Sequence, residues 1–398
     1  MYIGAILTIA GRPHLEREHL SSLPRKRLET HASPSQLLLG RPVALWDLLG
    51  KTVLDRTIER LRIFGIDRIS VISENSGRNL SNERLGSSLT EVGTGQSSFW
   101  SEWDSIVSDY LNHEMETLLL VRLGSYAEVD FSDLFTFHRQ SGTALTQVQH
   151  AQSAMDLVVA DAKQLRSGIG SFRSRLSAML PERSRYEFKG YLNRLTRPAD
   201  FRRLVEDALL GRCAIRPVGE EVSAHIWLGE GAYVEPSAIV IGPAYVGMNS
   251  YVGPACTISG SSTIERQCKV DFGTVVDASC ILPRTYVGMG LSVANAIVGN
   301  GKVYHLGRDV QVSIADQRLI GDTFRSRDLV RNARTLFESV LSTRSAQRAS
   351  LISTRRLDLL INRLRRHVGL KTAPLRQQSP MLMSEQQGEV GETLNDAA

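Results

Sequence analysis

Side chains that commonly carry catalysis are sparse and poorly grouped along this chain. Its four cysteines, Cys213, Cys256, Cys268 and Cys280, include no C-x-x-C pair. Neither a zinc site nor a redox dithiol is indicated. His19, His31, His113, His138, His150 and His367 show no ligand spacing and are assigned to surface or packing. Acyl transfer uses a histidine as general base. His225 and His305 flank residues 226–304, which hold none.

The bulk numbers exclude several classes. With 398 residues the chain is long enough for two or three domains. Lys and Arg number 47 against 42 Asp and Glu, a net charge of +5, too mild to point to nucleic acid as a partner. No apolar run reaches the roughly 18 residues of a membrane span. Met1 to Leu7 lacks the basic n-region of a signal peptide. A cytoplasmic protein is expected.

The first half reads as alternating strands and helices. Residues 1–9 form a buried strand and 10–40 a polar loop. Residues 52–64 carry Val53, Leu54, Ile58 and Leu61 at helical spacing, stopped by Gly65. Strands follow at 69–72 and 117–122 and extended segments at 143–150 and 156–160, with helices at 97–113, 132–140 and 198–210. Residues 75–95 read as a loop. This alternation predicts a parallel sheet covered on both faces.

From Leu228 the period changes to six. Leu228, Val234, Val240, Val246, Val252, Ile258, Ile264, Val270, Val276 and Leu282 follow one another at that spacing. Small residues recur four positions after the aliphatics, from Ala232 to Cys280, and Cys256, Cys268 and Cys280 all take this slot. The position after the aliphatic is often glycine or acidic, as at Gly247, Glu265, Asp271 and Asp277. A period of six fits a triangular solenoid in which three hexads make one turn. The aliphatic points inward and the small residue sits at the bend. The pattern then slips by one, continuing at Ile281, Val287 and Val293.

Beyond residue 323 the chain turns basic. Residues 325–366 hold eleven arginines against Asp328, Glu338 and Asp358. Leu357, Leu360, Ile361, Leu364 and Val368 share one helical face. Such a helix packs on its own protein or lies on an anionic membrane surface. Residues 371–398 read as disordered.

An α/β half followed by hexapeptide repeats resembles the NDP-sugar pyrophosphorylases, the sugar-1-phosphate nucleotidyltransferases. Tyr2–Leu7 looks like that family's first strand. Arg41-Pro42, Gly50-Lys51-Thr52-Val53-Leu54 and Ile58-Glu59-Arg60-Leu61 resemble its R-P-K-P…G-G-K-P-L-L…L-E-R-L stretch. Gly190-Tyr191 with Pro198, Asp200 and Phe201 resembles G-Y-W-x-D-I-G-T-P-E-D-Y. The segments 293–298 and 316–321 are similar to members from bacterial exopolysaccharide clusters.

The resemblance implies a Rossmann-like nucleotidyltransferase domain over 1–215, a left-handed parallel β-helix over 222–300, a connecting segment at 301–322 and an Arg-rich helical tail at 323–370. It also implies a reaction, joining a nucleoside triphosphate to a sugar 1-phosphate with Mg²⁺ held by two aspartates. Four positions depart from it. Ile9 and Ala10 replace paired glycines before Gly11 and Arg12, and Val43 replaces the signature lysine. The first metal aspartate falls in Arg122–Ala127, which has no carboxylate, and the second falls on Arg194.

The expectation is therefore a degenerate member with no catalytic residue, no metal ligand and no cofactor. It would bind a nucleotide or sugar phosphate through Gly11, Arg12, Lys51, Arg194 and Arg197, or act in assembly for polysaccharide and cell-envelope synthesis. Homo-oligomerisation through the repeats and a peripheral position at the membrane are the further expectations. An active Mg²⁺-dependent nucleotidyltransferase and, behind it, a hexapeptide acyltransferase are the alternatives.

Overall fold

The computed structural model describes residues 2–9, 37–73, 89–93, 99–113 and 115–323. The expected basic tail, the terminal segment after 371, and Gly11 and Arg12 lie outside them.

The N-terminal half is a seven-stranded sheet with helices packed on it. Its strands are β1 (Ile3–Ile9), β2 (Arg68–Ser73), β3 (Leu89–Gly93), β4 (Thr117–Leu123), β5 (Leu145–His150), β6 (Ser153–Asp161) and β7 (Ser184–Glu187). The spatial order is β7-β5-β6-β4-β1-β2-β3. The helices are α1 (Val53–Phe64), α2 (Phe99–Asn112), α3 (Phe131–Ser141), α4 (Ala162–Ser167), α5 (Phe172–Met179) and α6 (Pro198–Leu209).

Local chemistry sets the ends of α1. Thr52 Oγ1 accepts the Asp55 amide at 3.0 Å, and the Asp55 carboxylate accepts the Thr52 amide at 3.1 Å, a capping box. Gly65 closes the helix in the left-handed conformation at φ 99°. The buried face is Val53, Leu54, Ile58 and Leu61, the four residues that the spacing selects.

Two expectations about this half are corrected. The sheet is mixed rather than parallel, because β6 runs against both β4 and β5. β5 and β6 are joined by the pair Ala151-Gln152, both at positive φ, a tight reversal that leaves no room for a crossover helix. The supposed loop 75–95 contains β3, which pairs in parallel with β2.

The C-terminal half winds through three sheets in rotation. One holds Ile226–Leu228, Ala244–Val246, Thr263–Ile264, Cys280–Ile281 and Ala296–Gly299. The second runs through Tyr233–Val234, Tyr251–Val252, Lys269–Val270 and Thr285–Val287, and the third through Ile239–Val240, Thr257–Ser259, Val275–Asp277 and Ser292–Ala294. Each strand pairs in parallel with its equivalent one winding later. Val246, Val252, Ile258, Ile264, Val270 and Val276 are buried in one internal core, as a period of six requires.

The slip in register has a definite place. Ser259 pairs with Asp277, but Thr263 pairs with Cys280, so one residue is missing from the bend at 277–279. Two assignments change with it. Ile281, not Leu282, joins the internal core, while Leu282 packs outward against the α/β half. Ser279 takes the small-residue slot, its amide donating to Ser262 Oγ at 3.0 Å, and Cys280 faces outward with Leu282. Cys256 and Cys268 do lie in the internal core.

The segment 301–322 is built of strands. Lys302–His305 and Val310–Ser313 extend the first sheet antiparallel, and Ile320–Asp322 pairs antiparallel with Thr285–Val287. No helix among the described residues is long and apolar enough to cross a membrane.

Candidate functional site

Ligands of open α/β sheets bind beyond the carboxyl ends of the strands, where the order of the sheet reverses. Here the chain goes from β1 outward to β2 and β3, then returns to β4 on the other side of β1. The reversal lies between β1 and β4, whose last residues, Ile9 and Leu123, are register partners. Just past Leu123, Tyr126–Ala127 pairs antiparallel with Leu192–Asn193. Asn193 stands opposite Tyr126, and Arg194 follows the end of this two-residue ladder, with Leu195 already at φ 49°. The second metal position of the resemblance thus lies one residue beyond a strand paired to the segment 122–127 that holds the first.

A pocket opens beside this edge, lined by Thr57 and Arg60 of α1, Arg122 and Leu123 of β4, Ser125, Phe131 and Asp156 of β6 among others. Arg60 is committed to structure. Its guanidinium donates to the carbonyls of Ala127 at 2.6 Å and Val129 at 2.7 Å and lies over the Phe131 ring. Arg122 meets Asp156 across the β4–β6 pair at 3.7 Å. Asp156 is a carboxylate at the ligand edge that sequence reasoning missed. Its only signal is the antiparallel register of β6, which places 156 opposite 122.

The other carboxylates nearby hold the scaffold. Asp200 accepts from the Thr196 amide at 3.0 Å, Thr196 Oγ1 at 2.7 Å and the Arg197 amide at 2.9 Å, capping α6. Glu128 accepts from Tyr126 Oη at 3.1 Å and from the Ala214 amide. Tyr126 is held above its ordinary pKa by burial and by Glu128, so it stays a neutral donor. Asp207 takes the Tyr191 hydroxyl at 2.6 Å. Among the described residues no group of three or more His, Cys, Asp or Glu is placed to hold a metal ion.

Mg²⁺ coordinates through several oxygens, with carboxylates providing the charge. Glycine, serine and an arginine at 124, 125 and 194 do not fit it. Asp156 is a single carboxylate facing a guanidinium.

The expected phosphate contacts are scattered. Lys51 Nζ pairs with Glu59 at 2.5 Å and is partly exposed. Arg197 pairs with Asp200 at 3.8 Å and is mostly exposed. Arg194 is exposed. Each cation has local surroundings of its own, and neither Lys51, Arg194 nor Arg197 is among the residues lining the pocket. Val43, where the resemblance would expect a lysine, is buried with Trp46 and Leu48 in the core shared with the windings.

That shared core is the other site the sequence reading overlooked. Leu48, Leu49, Phe201 and Leu204 pack with Tyr245, Cys280, Leu282 and Ile297. A buried polar network crosses it. Glu265 Oε1 accepts the Leu49 amide at 2.8 Å and Oε2 the Gly50 amide at 2.9 Å. Arg266 pairs with Asp47 at 2.8 Å. Arg56 of α1 donates to the carbonyls of Leu48 at 2.8 Å and Leu49 at 3.1 Å. Arg202 of α6 reaches the bends through Gly260 O at 2.6 Å and Ala278 O at 3.0 Å. The acidic position of the hexad hinted at this, since Glu265 occupies it, but its partners lie more than 200 residues away.

No protein-family description matches this chain, and no curated protein matches it.

Proposed function

We propose that this chain is a sugar-1-phosphate nucleotidyltransferase-like protein that has lost metal-dependent nucleotidyl transfer and works by binding a phosphorylated ligand or by assembly. In this reading residues 1–215 are a Rossmann-like nucleotidyltransferase domain. Residues 222–300 are a left-handed parallel β-helix, the form that the resemblance implies for these windings. The carrying observation is the pairing of Tyr126–Ala127 with Leu192–Asn193, which runs the segment 122–127 alongside the strand that leads into Arg194. Where two aspartates would face one another across a divalent ion, one position is neutral and the other cationic. A polyphosphate meeting this edge would be held by guanidinium groups instead of through a metal.

The protein would sit in the cytoplasm, at or near the membrane, with bacterial polysaccharide or cell-envelope synthesis as its setting. Copies would associate through the windings, leaving the exposed apolar residues Ile239, Phe272, Val275 and Met289 to be covered.

The test is a paired titration. Nucleoside triphosphates and sugar 1-phosphates are added with and without Mg²⁺, reading heat, melting temperature and pyrophosphate. Binding without pyrophosphate release, weakened by Arg194→Ala and insensitive to Mg²⁺, is expected. Steady pyrophosphate release that depends on Mg²⁺ overturns the reading. Absence of any binding removes the ligand role and leaves assembly.

A further inference from the structure

The polar network across the shared core contains a group that the proposed ligand role does not use. Glu265 is 1% exposed, and both of its oxygens are turned to one short turn, residues 47–52. That turn carries Lys51 and leads directly into α1. Every charged group packed around it bears on its ionisation. Asp47, from the turn itself, is a second buried acid with 1% exposure, and it is held by Arg266 of the winding. Arg56 faces Glu265 from α1, and Tyr245 faces it from the neighbouring strand. Cys268 and Cys280, also buried, lie within reach of its field.

The balance between these groups is set by geometry. Two amides and Arg56 favour the carboxylate. Complete burial and the neighbouring Asp47 oppose it, because two acids share a site in which Arg266 answers only one directly. Burial and Asp47 prevail, raising Glu265 to about 8. With the turn lifted away, Glu265 would be in water with an ordinary carboxyl affinity for protons. The closed arrangement therefore binds the proton more tightly than the open one. Closure is strengthened below that range and weakened as pH rises through it.

We infer that Glu265 is a proton-held latch, which keeps the turn 47–52 closed on the windings while its carboxyl is neutral and frees the turn when the proton leaves. The released element bears Lys51, so the state of the interface reaches the α/β half without any change in the sheet. The consequence for ligand binding at Lys51 rests on the function proposed above; the latch itself does not.

Amide exchange on the full chain tests it with no ligand present. Protection factors are measured for Leu49 and Gly50, with Val252 in the internal core as reference. Between about pH 7 and about pH 9 the two amides should lose about tenfold in protection while Val252 holds. Glu265→Gln, which cannot ionise, should abolish the pH dependence, and Asp47→Asn should move it to lower pH by removing the repelling charge. Wild-type protection at Leu49 and Gly50 that is flat across this range overturns the latch, without recourse to a variant. So does an equal loss in Glu265→Gln. A pH-dependent latch in a protein that binds no phosphate would refute the ligand role alone.

Discussion

Arg266 and Asp47 form an ion pair of 2.8 Å between a winding of the C-terminal half and the turn before α1, with side chains 14% and 1% exposed. The pair spans more than 200 residues of sequence and sits where both halves contribute to one apolar core. The two halves should therefore unfold together in a single transition. Removing one member of a buried pair leaves a desolvated charge, at a cost of about 3–5 kcal/mol. Arg266→Ala should lose stability on that scale in denaturant unfolding. Asp47→Ala should lose less, because it also relieves Glu265. The double variant should recover part of the sum, giving a coupling above about 1 kcal/mol. Strictly additive losses would show that the pair does not join the halves.

The one-residue deletion at the bend 277–279 makes a sharper structural prediction. It sends Ile281 into the internal core and turns Cys280 and Leu282 toward the α/β half. Ile281→Ala should cost about 2–5 kcal/mol as a cavity in a packed core. Inserting one glycine after Ala278 lengthens the bend to the regular six-residue step and leaves Cys280 opposite Thr263 and Ile281 opposite Ile264, so both keep their facing. The inserted chain should stay close to native stability, with Cys280 as protected from thiol reagents as the native buried cysteines. Ready reaction of Cys280, or a loss of several kcal/mol in the inserted chain, would contradict the register described above.

How much of this was legible in the sequence depends on the range of the interactions. The helix α1, its Thr52 cap and its Gly65 stop are local, and their residues spell them out. The windings are legible for the same reason, since each equivalent strand lies only 17 or 18 residues away. The direction of β6 was not legible. Ala151 and Gln152 adopt positive φ without being glycine, so the tight hairpin left no turn signature. Asp156 was lost with it, because only the strand's direction sets it opposite Arg122. The contacts of Glu265 and Arg266 across the core follow no repeat at all. Beyond the end of β4, the approach of segment 122–127 to the strand before Arg194 required the pairing of two strands that are each two residues long.

A second pH effect comes from His138. This histidine is buried in α3, with Nδ1 2.7 Å from Thr146 Oγ1, which in turn meets Ser184 Oγ at 2.7 Å. Burial lowers its pKa below the ordinary 6.5, opposed weakly by Asp161. The unfolded chain therefore takes up this proton more readily than the folded one. The stability His138 confers is complete above about pH 6.5 and is lost as the pH falls toward its lowered value. Its sign is opposite to that of Glu265, whose contribution falls as pH rises between about 4.5 and about 8. The two slopes oppose one another below about pH 6.5, and above it only the loss from Glu265 remains, so melting temperature should fall between about pH 6.5 and about 8. Glu265→Gln should flatten that fall, and His138→Gln should make the protein gain stability as the pH drops below about 6.5. A pH profile below about 6.5 unchanged in His138→Gln would show that this histidine is not titrated with folding.

If the proposed reading holds, acidic charge at 125 and 194 should create a site for a divalent ion. Tyr126 pairs with Asn193, and Ser125 and Arg194 are the residues next to that pair at the end of the ladder. Ser125→Asp with Arg194→Asp would set two carboxylates on one side of the reversal between β1 and β4, within reach of a single ion. Without metal the pair should destabilise the protein by mutual repulsion. Millimolar Mg²⁺ should then raise the melting temperature of the double variant and leave the native protein unmoved, since a ligand that binds only the folded state stabilises it in proportion to its occupancy. Each single variant should respond weakly. A double variant as indifferent to Mg²⁺ as the native chain would mean that the two positions do not face a common cleft, and would remove this support from the proposed function.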